Sequence, residues 1–261
     1  MGLTIGLGLA YVGSSGGGGG GNNSNDSQFI DYYFKVNMKI IDNSLSDFPL
    51  IDTSYINDMS NMFESCTSLK TVPKIDTSRV QSMVYMFKNC SRLESVPQFD
   101  MTNVDRASYM FQNCYALKSM KSIDAPKLLN ASGFFSGCKG LEHVSALNTP
   151  KVTSMGEMFN GCVELKNIDF VDMSSCTSTD NYTFFNCSKI EKCYLFGVKT
   201  NLWMQYSPNL SKESVLYLFE NAQTYSGSGT KKITLHADVF SQLREDEIAI
   251  ATEKGFSVVS A

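Results

Sequence analysis

A repeat of 24 residues constrains the fold of this chain more than any other feature. Five cysteines follow one another at this step and a sixth comes one residue late: Cys66, Cys90, Cys114, Cys138, Cys162 and Cys187. A Met-Phe or Phe-Phe pair precedes each of them, beginning at Met62, Met86, Met110, Phe134, Met158 and Phe184. A fixed period of this length is typical of a solenoid, in which each coil buries its apolar face only against its neighbours. We therefore predict a stack of about six coils over residues 51–200.

The first part of each coil carries residues suited to the start of a helix. Short polar residues open the coils, namely Asp52, Asp76, Asp100, Asp124, Asn148 and Asp172. Such side chains cap free N–H groups, and proline, present at Pro126 and Pro150, is tolerated in a first helical turn. Apolar residues then recur at helical spacing, as at Val80, Met83 and Phe87. The pattern predicts one short helix in each coil.

The second part of each coil predicts a short strand. After the cysteine, every third residue is apolar, as at Leu69, Val72 and Ile75, which fits the bent strand of a leucine-rich-repeat coil. Pro73 and Pro97 are expected to end their strands, because proline has no N–H to donate. The predicted fold class is therefore α/β: a leucine-rich-repeat-like solenoid with parallel short strands and short helices, capped at both ends.

Charged residues supply an independent sign of in-register stacking. The residue after each inward-facing leucine alternates in sign along the chain, as Lys70, Glu94, Lys118, Glu142 and Lys166, and Glu191 follows Ile190 in the last coil. Strands in a parallel stack lie about 5 Å apart. Alternation then places opposite charges side by side. We expect these side chains to form a ladder of ion pairs.

Cysteine and methionine are interpreted as core residues. The sequence has eight cysteines and no C-x-x-C pair, and a constant offset places six thiols in one column. This spacing favours buried free thiols, with disulfides between coils and a metal site as the alternatives. Free thiols indicate folding in a reducing compartment. Methionines at shared offsets, such as Met59, Met83 and Met155, are expected to fill the same core.

Four segments follow from these patterns. Residues 1–27 are predicted to be a docking strand with a glycine-rich tether, residues 28–50 an N-terminal cap, residues 51–200 the solenoid and residues 201–261 a C-terminal α/β cap. The cap is predicted to contain a helix after Ser211, a strand at 231–236, a second helix to about Lys254 followed by Gly255, and a last strand. We expect it to extend the sheet of the solenoid.

The far N-terminus alternates bulky and small residues. The bulky residues are Leu3, Ile5, Leu7, Leu9 and Tyr11, and a glycine run at 16–21 follows. We interpret this segment as a docking peptide that adds a strand to another protein's sheet, with a disordered tail as the alternative. Because no Lys or Arg precedes the apolar residues, we do not expect a cleaved secretion signal.

The repeat unit resembles a known family. The segment from Asp76-Thr77-Ser78 to Leu93 looks like the BspA-type leucine-rich repeat, also described as the mycoplasma surface-lipoprotein repeat, and the resemblance covers residues 51–196. Ala107 and Ala131 depart from it at the methionine offset. The segment from Leu210 to Phe256 is similar to the C-terminal cap of repeat proteins of phages and prophages of gut bacteria. That resemblance implies a tail-fibre or other virion surface component.

The composition excludes several functions. A net charge of −4 argues against nucleic acid as a partner, and the absence of an apolar run of about 18 residues argues against membrane insertion. Only two histidines are present, and His143 and His236 are interpreted as solvated rather than catalytic. We find no catalytic, cofactor-binding or metal-binding motif, and therefore expect no enzyme and no cofactor.

The resulting hypothesis is a phage virion structural or adhesion protein, a fibre-like component of tail, collar or head. Residues 1–21 would anchor it to other virion proteins, and the repeats would bind a protein or a glycan of the host surface. Such a protein is made in the host cytoplasm, ends in the virion, and is expected to be oligomeric within the assembly. The alternative is a BspA-like adhesin on the bacterial cell surface.

Exposed aromatic residues are the candidate receptor contacts. Tyr85 and Tyr109 share one offset, so we expect them to stack, and Tyr115 lies a few residues further on. Trp203 and Tyr206 lie between the solenoid and the C-terminal cap. Packing inside the protein, or a neutral surface position, explains each of these residues equally well.

Overall fold

Main-chain bridges join the repeats one coil apart. In the computed structural model, which describes the backbone of residues 5–9 and 36–40 and all of residues 52–261, five parallel bridges form a continuous series. They are Asp58–Ser82, Ser82–Arg106, Arg106–Asn130, Asn130–Ser154 and Ser154–Ser178. Each bridge joins residues that are 24 positions apart, so the sequence period is the distance along the chain from one coil to the next.

A five-stranded sheet forms on the leucine side of the coils. It contains β3 (Ser119–Met120), β4 (Ile123–Asp124), β5 (His143–Asn148), β6 (Asn167–Asp172) and β7 (Lys192–Phe196), and every pairing is parallel. The prediction of a strand in every coil is wrong for the first two coils, because no strand occurs between residues 52 and 118. Pro73 and Pro97 lie in those two coils, and neither has an N–H to donate to a sheet.

The predicted helix in each coil is wrong. Residues 52–210 contain turns and strands, and the first helix among the described residues begins at Lys212. Most coils contain two residues with a left-handed backbone four positions apart, for example Tyr85 (φ 59) and Asn89 (φ 63). A left-handed residue cannot continue a right-handed helix, so the chain bends twice instead.

Main-chain hydrogen bonds join each coil to the neighbouring coil. The N–H groups of Met59, Asn61, Phe63 and Ser65 donate to carbonyls of the next coil over 2.7–2.9 Å. Four of the six polar residues that open the coils, Asp52, Asp76, Asp100 and Asp172, accept from the N–H two residues on, as Asp76 Oδ1 accepts from the Ser78 N–H over 2.9 Å, and they form local turns. The predicted capping bond is therefore present in these four coils, but a turn follows it in place of a helix.

Aromatic rings stack through the middle of the solenoid and confirm the predicted core. One buried phenylalanine from each coil lies on the next, with ring centroids 5.0–5.8 Å apart and interplanar angles of 4–16°. The column is Phe63, Phe87, Phe111, Phe135, Phe159 and Phe184. Methionines such as Met83 and Met155 are buried around it. Large aromatic rings bury much apolar surface, so this column holds the coils together.

The C-terminal part contains the three helices of the described chain. They are α1 (Lys212–Asn221), α2 (Ala237–Phe240) and α3 (Glu245–Thr252). The strands are β8 (Leu202–Met204), β9 (Lys231–Leu235) and β10 (Phe256–Ser260). Ser211 caps α1 and Gly255 has φ 86, both as predicted, whereas the predicted second helix is divided into α2 and α3.

The C-terminal strands do not extend the five-stranded sheet, which corrects that expectation. They form a separate parallel sheet in the order β10-β9-β8. Helix α1 lies beside β7 in place of another strand, and the Cys193 N–H of β7 donates to Ser214 Oγ of α1 over 3.0 Å. A hydroxyl group therefore takes the place that a strand carbonyl would occupy.

Two N-terminal strands pair with each other. β1 (Ile5–Leu9) and β2 (Val36–Ile40) are antiparallel, with Leu7 opposite Met38. β2 falls within the predicted N-terminal cap, while Leu3, Tyr11, the glycine run and the remainder of residues 28–50 lie outside the described residues. A sheet of only two strands is marginally stable alone.

Candidate binding surfaces

The cysteines form a buried column of free thiols, as predicted. Within the column, five thiols donate to the carbonyl of the phenylalanine that lies three residues before the cysteine of the preceding coil, over 2.9–3.1 Å; they are those of Cys90, Cys114, Cys138, Cys162 and Cys187. All eight cysteines of the chain are buried and free. Burial raises the pKa of Cys138 and of Cys187 to about 12. At neutral pH these groups are protonated, so they are poor nucleophiles and poor metal ligands.

The alternating charges form the expected ladder in the third to fifth coils. The Glu142 carboxylate lies between Lys118 Nζ at 3.8 Å and Lys166 Nζ at 3.5 Å. The main chain follows the same order, since the Glu142 N–H donates to Lys118 O and the Lys166 N–H donates to Glu142 O, both over 2.9 Å. Exposed pairs contribute only about 0.2–1 kcal/mol each, so the ladder specifies register more than it stabilises the fold.

The two histidines have local partners. His143 Nε2 lies 2.9 Å from Asp169 Oδ2 at the surface of the sheet, and His236 Nδ1 accepts from the Asp238 N–H at the start of α2. Within the described ranges, no group of three or more His, Cys, Asp or Glu side chains is arranged to hold a metal ion. None of the helices in those ranges is long and apolar enough to cross a membrane.

Tyr85 and Tyr109 stack on each other as predicted. Their ring centroids are 5.6 Å apart at 22°, and both residues have a left-handed backbone. Lys88 Nζ lies 4.5 Å from the Tyr85 centroid, and a Cβ atom built on Gly133 would meet the Tyr109 ring at 2.1 Å. Neighbours therefore pack around both rings, which makes this pair a half-buried element of the coil stack.

The other three candidate contacts lie apart from that stack. Tyr115 is exposed beneath Lys139 Nζ, which is 5.1 Å from its centroid, and Trp203 is half-buried in β8. Tyr206 packs edge-on against Phe185, with centroids 4.7 Å apart. Tyr115 and Tyr206 thus have local packing partners, as the alternative interpretation of each allowed.

An aromatic cluster that the sequence pattern did not predict lies on the open face of the five-stranded sheet. We name it the sheet-face patch: Phe170 of β6, Tyr194 and Phe196 of β7, and Tyr217 of α1. The Phe170 and Phe196 centroids are 6.0 Å apart, and Tyr194 meets Tyr217 edge-on at 5.1 Å. Phe196 is 39% exposed. Tyr194 and Phe196 share one face because they are two residues apart in a strand.

Polar groups order one side of this patch. The Tyr194 hydroxyl donates to Glu213 Oε1 over 2.9 Å, and this hydrogen bond to a carboxylate raises the pKa of Tyr194. Strand β6 is irregular between Ile168 and Val171, which is where Phe170 lies. Such irregularities redirect side chains. In the sequence, Tyr194 and Phe196 alternate with Leu195, as in a strand with one buried face. The apolar spacing of three residues in the other coils made this alternation hard to recognise.

Two family models match the chain. Residues 107–202 match the model described as BspA type leucine rich repeat region (6 copies). Residues 30–143 match the model described as Mycoplasma protein of unknown function, DUF285. No curated protein matches the chain at a significant level.

Two solved structures also show similarity to this chain: one is a leucine-rich repeat protein and the other a plant receptor. A leucine-rich repeat protein from Bacteroides ovatus is 16% identical, with 86% of this chain and 62% of that chain covered and a TM-score of 0.33. The plant peptide hormone receptor RGFR1 in complex with RGF2 is 13% identical, with 83% and 43% covered and a TM-score of 0.23. The chain spans less than two thirds of both proteins, and TM-scores this low indicate little overall superposition. The family matches are what confirm that the repeat region is similar to BspA-type leucine-rich repeats.

Proposed function

We propose that the chain is a non-enzymatic binding protein of a phage particle, a structural or adhesion component. Residues 1–21 would anchor it to other virion proteins, and the repeat region would present its sheet face to a host-surface protein or glycan. Residues 28–50 and 201–261 would close the two ends of the solenoid. The observation that carries the binding role is the sheet-face patch.

The patch supports a binding role because its aromatic side chains lie outside the buried core and are at least partly exposed to solvent. Phe196 and Phe170 lie on the face of the sheet opposite the buried Leu195 and Ile168. Clustered exposed aromatic residues mark interaction sites on folded proteins. Tyrosine adds a polar tip beside an apolar ring, which suits both protein and carbohydrate partners. Parallel strands hold these side chains in fixed positions.

The chemistry of the remaining groups supports a role without catalysis. The thiols are buried and protonated, and His143 is engaged with Asp169 on the surface. A catalytic constellation requires a nucleophile and a base within hydrogen-bonding reach in a concave site. The net charge of −4 favours a partner other than nucleic acid.

The assignment to a phage particle rests on the similarity of residues 210–256 to the caps of phage repeat proteins, and on the N-terminal strands. A two-stranded sheet leaves hydrogen-bonding edges that can join a partner's sheet. The second candidate is a BspA-like adhesin on the bacterial cell surface, which the similarity of the repeats to the BspA type favours.

Mass spectrometry of purified particles tests the proposal. The chain is expected in the virion at a fixed ratio to the other structural proteins. A chain lacking residues 1–21 is expected to fold, because the core that the structure describes runs from Ile56 onward, but to be absent from particles. Finding the chain only in host surface fractions would support the adhesin instead. Normal incorporation of the truncated chain would contradict the anchor.

A further inference from the structure

We propose that the solenoid bends as a hinge between its second coil (residues 76–99) and its third coil (residues 100–123). The hinge axis lies on the turn side of the coils, which is the part of each coil before the cysteine. The leucine side, which is the part after the cysteine, opens and closes. This inference concerns the coil stack itself and does not depend on the proposed function.

One main-chain hydrogen bond recurs on the leucine side at the junctions between coils. At the level of the charge ladder, an N–H of one coil donates to the carbonyl one coil before, over 2.8–2.9 Å. The bonds run from Glu94 to Lys70, from Glu142 to Lys118, from Lys166 to Glu142, from Glu191 to Lys166, and from Ser211 to Glu191. Among the described residues, the bond from Lys118 to Glu94 is the one missing from this series. The second and third coils are therefore not joined here in the way that their neighbours are.

A cavity of about 70 Å³ lies at the same junction. It is lined by residues 95–99 of the second coil and residues 119–123 of the third, together with Met101 and Phe111 of the core. Within the described chain, one hydrogen bond joins these two segments, from Gln98 Nε2 to Ser122 O over 2.8 Å. Pro97 lines the cavity and has no N–H to donate to the neighbouring coil. Atoms that line a void also lose packing contacts, so the two segments are held together weakly.

The turn side of the same junction is joined throughout. Four N–H groups of the second coil donate to carbonyls of the third over 2.7–3.1 Å, namely those of Met83, Tyr85, Phe87 and Asn89. The rings of Phe87 and Phe111 stack with centroids 5.4 Å apart, and the Cys114 thiol donates to Phe87 O over 3.1 Å. The two coils thus share a continuous set of contacts on one side only.

A stack that is joined on one side and open on the other can change its angle without unfolding. Each coil of a solenoid contacts only its neighbours, so the stack bends where a junction is weakest. Bending about the turn side keeps the turn-side bonds and stretches only the bond of Gln98 on the leucine side. The third to sixth coils contain the five-stranded sheet and move as one body. The sheet-face patch therefore changes its direction relative to the first two coils.

Two pairs of spin labels compare this junction with the others. The spanning pair is Lys70→Cys with Glu142→Cys, and the control pair is Lys118→Cys with Glu191→Cys. Both pairs replace one lysine and one glutamate of the same ladder, three coils or about 14 Å apart by strand spacing. The native thiols are buried, so labelling of the folded chain at neutral pH is expected at the introduced cysteines. Pulsed electron paramagnetic resonance of the full chain is expected to give a distance distribution about twice as wide for the spanning pair.

Removal of the Gln98 bond tests the leucine side directly. Gln98→Ala is expected to widen the distribution of the spanning pair further, because no side-chain bond then crosses the cavity. Gln112→Ala changes the same residue type on the turn side of the third coil and is the matched control, which should leave this distribution unchanged. Neither variant is expected to alter the control pair.

Hydrogen exchange distinguishes bending from unfolding of the first two coils. The N–H groups of Tyr85 and Phe87 bond across the hinge, and those of Gly133 and Phe135 make the equivalent bonds between the fourth and fifth coils. We expect all four to be protected to a similar extent, since bending keeps the turn-side bonds.

Three results would overturn the inference. The first is equal widths for the two pairs of labels. The second is a spanning distribution that Gln98→Ala leaves unchanged. The third is exchange at Tyr85 and Phe87 much faster than at Gly133 and Phe135, which would assign a wide distribution to local unfolding instead of a hinge.

Discussion

The thiol of Cys90 donates a hydrogen bond to the carbonyl of Phe63, 2.9 Å away in the preceding coil. The same carbonyl accepts from the Cys66 N–H within its own coil over 3.0 Å. One oxygen atom thus closes a turn and joins it to the next coil. Repetition of this contact through Cys187 explains why the chain keeps cysteine, a small apolar residue with a donor, at the same offset.

Removal of one thiol is expected to destabilise the stack. Cys114→Ala deletes a buried sulfur atom and its bond to Phe87 O, and should lower the free energy of unfolding by about 1–3 kcal/mol. Denaturant unfolding measures this loss. Cys114→Ser restores a donor but places a hydroxyl in an apolar column, so it should not recover the full stability. Equal stability of all three chains would contradict a structural role for the column.

The thiols also predict a loss of stability at alkaline pH. Burial raises the pKa of Cys138 and Cys187 to about 12, whereas an unfolded thiol titrates near 8.5–9. The folded chain therefore holds more protons than the unfolded chain between these values. Stability is fully present below about pH 8.5 and falls as the pH rises towards 12, by up to about 1.4 kcal/mol per pH unit for each thiol.

The alkaline slope can be assigned to the thiols by substitution. A Cys138→Ala chain should have a shallower decline of unfolding free energy between pH 9 and 11 than the wild type. Native thiols should also resist alkylation at pH 8 and react after denaturation. An unchanged slope, together with rapid alkylation of the native chain, would show that the column is open to solvent.

Gly133 makes room for the ring of Tyr109. Its φ of 62 favours glycine, and an added Cβ would lie 2.1 Å from Tyr109 Cδ1, so Gly133→Ala is expected to cost more than about 2 kcal/mol of unfolding free energy. Gly229→Ala is the matched control, since Gly229 has φ 82 and nothing within 4 Å of the added atom. The control should show only the cost of backbone strain. Equal losses in thermal unfolding would contradict the contact with Tyr109.

Ser214 is expected to hold the junction between β7 and α1. It is 1% exposed, and Ser214→Ala would leave the Cys193 N–H without its acceptor, at a cost of about 1–3 kcal/mol. Glu220→Ala changes an exposed side chain of the same helix and should have little effect. Hydrogen exchange at the Cys193 N–H reports the junction directly. Protection of that N–H in the Ser214→Ala chain would contradict this assignment.

The period predicted the parts of the fold in which residues one coil apart contact each other. The cysteine column, the buried methionines and the pairing of Glu142 with two lysines all follow from a constant offset. The Ser211 cap and Gly255 were also predictable, because their signals are local. These features depend only on spacing and on the intrinsic preferences of single residues.

The remaining features depend on backbone conformations that the residue pattern conceals. Val80, Met83 and Phe87 are spaced as on one face of a helix, but here a chain that bends twice at left-handed residues buries them. Turns and a short helix can both direct these side chains inward, so the spacing alone does not distinguish the two. Left-handed Tyr85 is uncommon for a bulky residue and carried no signal in the sequence. The sheet-face patch was missed for a related reason, since Phe170 lies at an irregularity of β6.

The binding of intact host cells by the purified chain tests the central claim most directly, namely that the sheet-face patch is the recognition surface. Phe196→Ser removes the most exposed ring of the patch, and Leu129→Ser removes a comparably exposed apolar residue elsewhere, since these side chains are 39% and 49% exposed. We predict that wild type and Leu129→Ser bind cells equally and that Phe196→Ser binds at least tenfold more weakly. Equal binding by Phe196→Ser and the wild type, or no binding by the wild type, would contradict the account.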